Sequence, residues 1–161
     1  MRHWVEAVAT IRRVKPRIFS RGNGVVLAVV DTGPLYAAVD ADDQDHRRSL
    51  DALQMPGLRL FIPAMVVAET AYLVGSRIGS AVEAAFLAGL SDFDVVAPAP
   101  EDWERIAQLV DRYGDFPLGG TDASVIVLAE RLNANVLVTL DRRHFAVVRP
   151  SHCPTWHILP E

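Results

Sequence analysis

Two six-residue runs, VVLAVV at 25–30 and NVLVTL at 135–140, constrain the fold of this chain more than any other feature. In an extended run, successive side chains point to opposite faces, so both runs are apolar on both sides. Strands of that kind need cover above and below, which is the habit of parallel sheets flanked by helices. LRLFI at 58–62, DVVA at 94–97 and, more weakly, residues 155–159 add further strands. Between them lie segments of helical period at about 42–54, 64–76, 80–90, 101–113 and 121–133. The alternation predicts a layered α/β fold around a mainly parallel sheet.

Local signals place several boundaries. Pro63 suits the first turn of the helix after LRLFI. Thr121 suits the cap of the helix that follows Gly119 and Gly120. Pro98 and Pro100 flank the start of the helix around Trp103. The 161 residues suit one domain with a substantial core. No apolar run approaches the ~18 residues of a membrane span. A single cysteine, Cys153, excludes an intramolecular disulfide and a cysteine-only zinc site, and suits a reducing, cytoplasmic setting.

Charge is distributed unevenly. Residues 1–24 carry six basic side chains against Glu6, a balance of +5; the whole chain is at −4, which leaves −9 for residues 25–161. The first 24 residues therefore read as a basic extension, closed by a GNG linker, and 25–161 as the working domain. The extension is expected to be either an arm that touches RNA or a partner, or an appendage from an upstream translation start. An acidic body argues against broad electrostatic binding of nucleic acid. It leaves room for a nuclease whose acids surround metal ions.

The acids have a geometric logic. A helix over 122–133 spans ~18 Å, and a strand over 135–140 returns by ~20 Å. Asp122 and Asp141 should then emerge at the same edge, the carboxyl end of the strands. Asp31 follows VVLAVV directly and joins them if the two strands are parallel. Glu69 sits about a turn and a half into a helix that starts at that edge. Each acid also has a plain reading alone: Asp31 in a turn, Asp122 as a favourable charge at a helix start, Asp141 in a solvated loop. Glu69 lies in a largely apolar helix, where an unpaired buried carboxylate is costly.

Gathered carboxylates repel by ~4 kcal/mol at ~4 Å and an effective dielectric near 20. They must take up protons or be neutralised by cations. An all-oxygen donor set with no nearby lysine suits Mg²⁺ or Mn²⁺. The chemistry that fits is metal-assisted hydrolysis of a phosphodiester.

The segments VVDTGPLYA (29–37), FIPAMVVAETAYL (61–73) and YGDFPLGGTDASVIVLAERLNANVLVTLDRRHFAVVRP (113–150) resemble the PIN-domain family, in particular the VapC-type toxins of bacterial toxin–antitoxin pairs. The resemblance covers roughly 25–160. It implies a three-layer α/β/α sandwich and a metal-dependent ribonuclease. It places the family's four acids on Asp31, Glu69, Asp122 and Asp141, as catalytic and Mg²⁺- or Mn²⁺-binding residues. It also implies an RNA substrate, a cognate antitoxin, a homodimer and no membrane association. The 24-residue leader departs from the family pattern. A catalytically silent PIN module that binds RNA or protein, or a PIN nuclease that is not a toxin, is the alternative. A haloacid-dehalogenase-like phosphatase would need an acid where Gly33 stands, and a receiver domain would need a lysine that is absent.

Other polar residues fall near these acids. Thr32, Thr121, Ser124 and Thr139 could orient carboxylates or serve as caps. Arg142, Arg143 and His144 could meet phosphates. Asp115 and His46 are further candidates for contact. DADDQDHRR at 40–48 reads as a helix start with acids in its first turn. Trp103, Trp156, Phe61, Phe86 and Phe93 read as core or dimer surface, and His152 beside Cys153 does not make a zinc site.

Overall fold

A computed structural model of the chain describes residues 24–116 and 118–161; the predicted basic extension therefore lies, except for Gly24, outside the described residues. Among the described residues the strands are β1 (Val26–Val30), β2 (Leu58–Pro63), β3 (Asp94–Val96), β4 (Val136–Val138) and β5 (His157–Leu159). They form one sheet in the order β3-β2-β1-β4-β5. Every pairing is parallel. The helices are α1 (Thr32–Val39), α2 (His46–Leu53), α3 (Ala64–Arg77), α4 (Ser80–Gly89), α5 (Asp102–Arg112), α6 (Gly120–Leu132) and α7 (Arg142–Val147). None of them is long and apolar enough to cross a membrane.

The apolar runs VVLAVV and NVLVTL supply β1 and β4, neighbours in the interior of the sheet. Ala28, Val29 and Val30 of β1 and Leu137 and Val138 of β4 are fully buried. Around them the core gathers Leu35 from α1, Val66 and Val74 from α3, Phe86 from α4, Val125 and Ile126 from α6, and Phe145 from α7. Helices cover both faces, so strands apolar on both sides bury both. Tying parallel strands together requires crossovers, and these bring α1, α3 and α6 to start at one rim.

Several boundaries differ from the sequence reading. The stretch after Asp31 is a helix, α1, rather than a turn. Pro34 is tolerated there because it falls in the first turn, where its missing N–H has no partner to lose. Pro63 ends β2 in an extended conformation and precedes α3 instead of sitting inside it. The acids of 40–45 stand ahead of α2 in turns: Asp40 accepts from the N–H of Asp42 and Asp43 from that of Asp45. Aspartate competes for its own backbone two residues on, and here that competition delays the helix to His46. The residue flanking α6 is Gly119, not Thr121, which lies one position inside the helix.

The far end of α6 is clamped. Asn133 terminates it at φ 52°, a left-handed conformation that asparagine tolerates. Arg105 of α5 makes two bonds to Glu130, at 3.1 and 3.0 Å, and Arg131 pairs with Asp102. Glu130 also accepts from the N–H of Ser151 at 3.0 Å.

Leu137 lies fully buried in β4 with β1 on one side and β5 on the other. Leu137→Ala is expected to lower unfolding stability by about 3 kcal/mol, read as a shifted midpoint in urea with little change in slope.

Candidate functional site

The site is assembled by strand register. Val30 pairs with Val138, and the N–H of Asp31 then donates to the carbonyl of Val138 at 2.9 Å. Asp31 is thereby carried past the end of β1 to lie beside Thr139. The Thr139 hydroxyl donates to Asp31 Oδ2 at 2.7 Å and accepts from the N–H of Asp141 at 3.0 Å. Asp31 Oδ1 accepts from the N–H of Thr32 at 2.7 Å, at the first residue of α1. One threonine thus ties the ends of two parallel strands, each carrying an acid.

The other two acids arrive on helices. Asp122 lies in the first turn of α6, and its Oδ2 accepts from the N–H of Gly119 at 3.0 Å. That bond satisfies one of the orphan donors of the helix start. Glu69 lies in the second turn of α3, where its Oε2 accepts from the Thr32 hydroxyl at 2.6 Å. Asp141 precedes α7 and caps it, with Oδ1 accepting from the N–H groups of Arg143 at 3.1 Å and His144 at 3.0 Å.

All four acids line one cavity of about 530 Å³, together with Thr32, Gly33, Leu73, Leu140, Arg142 and Arg143. The wall is close where α1 passes β4: a Cβ on Gly33 would stand 3.3 Å from that of Leu140. Glu69 is not buried as its apolar sequence context suggested. It is exposed, on the face of α3 that looks into the cavity rather than the core. Among the described residues, no three acidic, histidine or cysteine side chains stand close enough to form a finished metal shell. Each carboxylate is turned instead toward an N–H or O–H donor of its own.

The acids nevertheless feel one another. Burial raises the Asp31 carboxyl from its ordinary 3.8 to about 6; the Thr139 hydroxyl and Thr32 N–H oppose the rise, and the charges of Asp122 and Glu69 add to it. Asp122 is also raised, first by burial, against the Gly119 N–H and His144, and with contributions from Glu69 and Asp141. The donor set is oxygen and anionic, and among the described residues Arg142 and Arg143 supply the positive charge on the lining. The Arg142 guanidinium is committed to the carbonyl of Pro160. Such a pocket fits a hard divalent cation.

The remaining candidates separate clearly. Thr32 and Thr139 hold carboxylates. Ser124 turns its hydroxyl to the carbonyl of Thr121 at 2.6 Å, inside α6. His46 approaches the carbonyl of Ala37 at 2.8 Å, and neither it nor Asp115 lines the cavity. His144 pairs with Asp141 at 2.7 Å and meets the ring of Phe116 edge-on. His152 approaches the carbonyl of Ala134 at 2.8 Å, as a structural contact. Phe61, Phe86 and Trp156 are buried, whereas Trp103 is exposed. The sequence reading did not place Gly33, Leu73 or Leu140 on the lining of the site; the close Gly33–Leu140 approach is visible only in three dimensions.

A raised carboxyl has a definite sign for stability. Asp31 holds its proton in the folded chain up to about pH 6, but only to 3.8 when unfolded. The stability this contributes is complete below the lower value and is lost as pH rises through the upper one, about 3 kcal/mol in all. In EDTA, Asp31→Asn is expected to melt higher than the parent at pH 8 and to converge with it near pH 4. A parent whose melting temperature climbs relative to the variant as pH rises from 4 to 8 would contradict the assignment.

Comparison with known proteins places this geometry. A family model for the PIN domain matches residues 28–149. Ribonuclease VapC26 of Mycobacterium tuberculosis (strain ATCC 25618 / H37Rv) is 33% identical over 134 residues, which is 82% of this chain and 99% of the relative. Among solved structures, Mycobacterium tuberculosis VapC20, described as a Sarcin-Ricin loop cleaving toxin, aligns with a TM-score of 0.69 at 19% identity, over 76% of this chain and 99% of its own. VapBC2 from Rickettsia felis, bound to a DNA fragment from their promoter, aligns at 0.63 and 17% identity, over 84% of this chain and 100% of that one. The two structures agree with the fold, and the family match spans both strands and all four acids of the cavity: the chain belongs to the PIN-domain family.

Proposed function

We infer that this chain is a divalent-metal-dependent endoribonuclease, the toxin half of a toxin–antitoxin pair. One observation carries the chemistry: four carboxylates from four separate segments line a single cavity at the carboxyl rim of a parallel sheet. The ribonuclease relative and the VapC neighbours support RNA as the substrate and a cognate antitoxin as the partner. The working unit in this reading is residues 25–161, a homodimer in the cytoplasm, with residues 1–24 as a basic extension.

Asp31 and Asp122 are the main ligands of Mg²⁺ or Mn²⁺, and Glu69 and Asp141 complete its shell or orient water. The ion supplies charge compensation and Lewis acidity at a phosphodiester. Asp31 is held in place by the Thr139 hydroxyl and the Thr32 N–H. Asp31 would hold the ion in its ionised form, so binding would favour loss of its proton. Arg143 lines the cavity from the start of α7, where it would meet a substrate phosphate. Local positive charge is what lets a body at −9 accept RNA at this one place.

Asp122→Asn is expected to cut RNA cleavage in Mg²⁺ by about 100-fold or more while melting no lower than the parent in EDTA. A variant that cleaves like the parent ends this reading, and a parent whose melting temperature ignores Mn²⁺ favours a silent binding module. Arg143→Ala is expected to raise KM, leave kcat nearly unchanged and flatten the dependence of KM on salt.

A further inference from the structure

We propose that Thr32 is the positioning residue for Glu69, holding through its hydroxyl a carboxylate that its own helix leaves free to swing. The assignment rests on the metal-dependent reading above. Asp31, Asp122 and Asp141 each accept a backbone N–H. Glu69 is different: among the described residues its hold is a side-chain hydroxyl from another element, at 2.6 Å. A glutamate on an exposed helix face has three rotatable bonds, and ordering it carries a large entropic cost. A short charge-assisted O–H···O⁻ bond offsets that cost before any ion arrives.

The donor is well placed to do this. Thr32 is 8% exposed, so its hydroxyl has little water to turn to. Its backbone N–H is spent on Asp31 at 2.7 Å while its Oγ1 serves Glu69. One residue therefore spaces two acids of the cavity. The α1–α3 seam keeps that spacing constant. Further along, the Arg77 guanidinium lies 5.4 Å from the ring centroid of Tyr36. Tyr36 in turn donates its hydroxyl to Asp40 at 2.9 Å. The Arg77–Tyr36 contact joins α1 to α3 beyond the Thr32–Glu69 pair, and the Tyr36–Asp40 bond steadies the ring within α1.

The test is a double-mutant cycle on the full chain with Mn²⁺ as the probe. Thr32→Val is isosteric, retains the backbone N–H and removes the hydroxyl. It is expected to weaken the Mn²⁺-induced rise in melting temperature to an apparent affinity roughly ten-fold lower, to reduce kcat more than KM, and to leave the melting temperature in EDTA close to the parent's. Thr32→Ser restores the parent's affinity. In a Glu69→Ala background, Thr32→Val has no further effect, because the group it positions is gone. Parent-like Mn²⁺ affinity in Thr32→Val overturns the proposal, as does an equal loss with and without Glu69. If valine prevents folding, Thr32→Ala must show the same ten-fold loss, and parent-like affinity there also overturns it. A parent that fails to respond to Mn²⁺ overturns the metal-dependent reading itself, and this assignment with it.

Discussion

The backbone hydrogen bond from Asp31 to Val138 is the constraint on which the site depends. It extends the β1–β4 ladder by one residue beyond Val30 and Val138, and so puts Asp31 beside Thr139. A slip of one residue would turn every side chain of the strand to the other face. Asp31 would then leave the Thr139 hydroxyl, and Val30 would lose its core position. Core packing and site geometry are thus set by the same register. The fully buried valines protect the acid pair as a by-product of protecting themselves.

Like charges gathered at one rim set the second constraint. Burial and the neighbouring acids push Asp31 up, and the fold answers with hydroxyls and N–H groups rather than with ion pairs. The remaining arginine contacts are structural. Arg105 and Arg131 join α5 to α6, and Arg59 pairs with Asp94 between β2 and β3. Arg142 and Arg143 line the cavity, yet among the described residues neither is ion-paired with Asp31 or Asp122, and Arg142 is held by the carbonyl of Pro160. A lysine or arginine seated among the acids would satisfy the carboxylates and fill the place a divalent ion needs.

Much of this was legible in the residues. VVLAVV and NVLVTL announced strands buried on both faces, and the acid after each fell at the predicted rim. Helix and strand lengths brought Asp122 back to the same edge. What escaped was short or ambiguous locally. DTGPL has the composition of a turn, and only tertiary packing of Leu35, Ala38 and Val39 commits it to a helix. The six residues of α7 are too few to display a period. Glu69 lies at the rim expected of it, and only its exposure differs from what its apolar neighbours in sequence suggested. The four acids were each ambiguous alone and became a site only through their shared placement.

The clamp on α6 has a mechanical meaning. Glu130 and Arg131, at the end distant from Asp122, are tied to Arg105, Asp102 and Ser151, while the middle of the helix runs through the core. A rod anchored so firmly at one end and along its length transmits displacement rather than absorbing it by bending. The anchored end of α6 bears on α5, where Trp103 stands 51% exposed. That indole is a natural fluorescent reporter of the joint between the two helices.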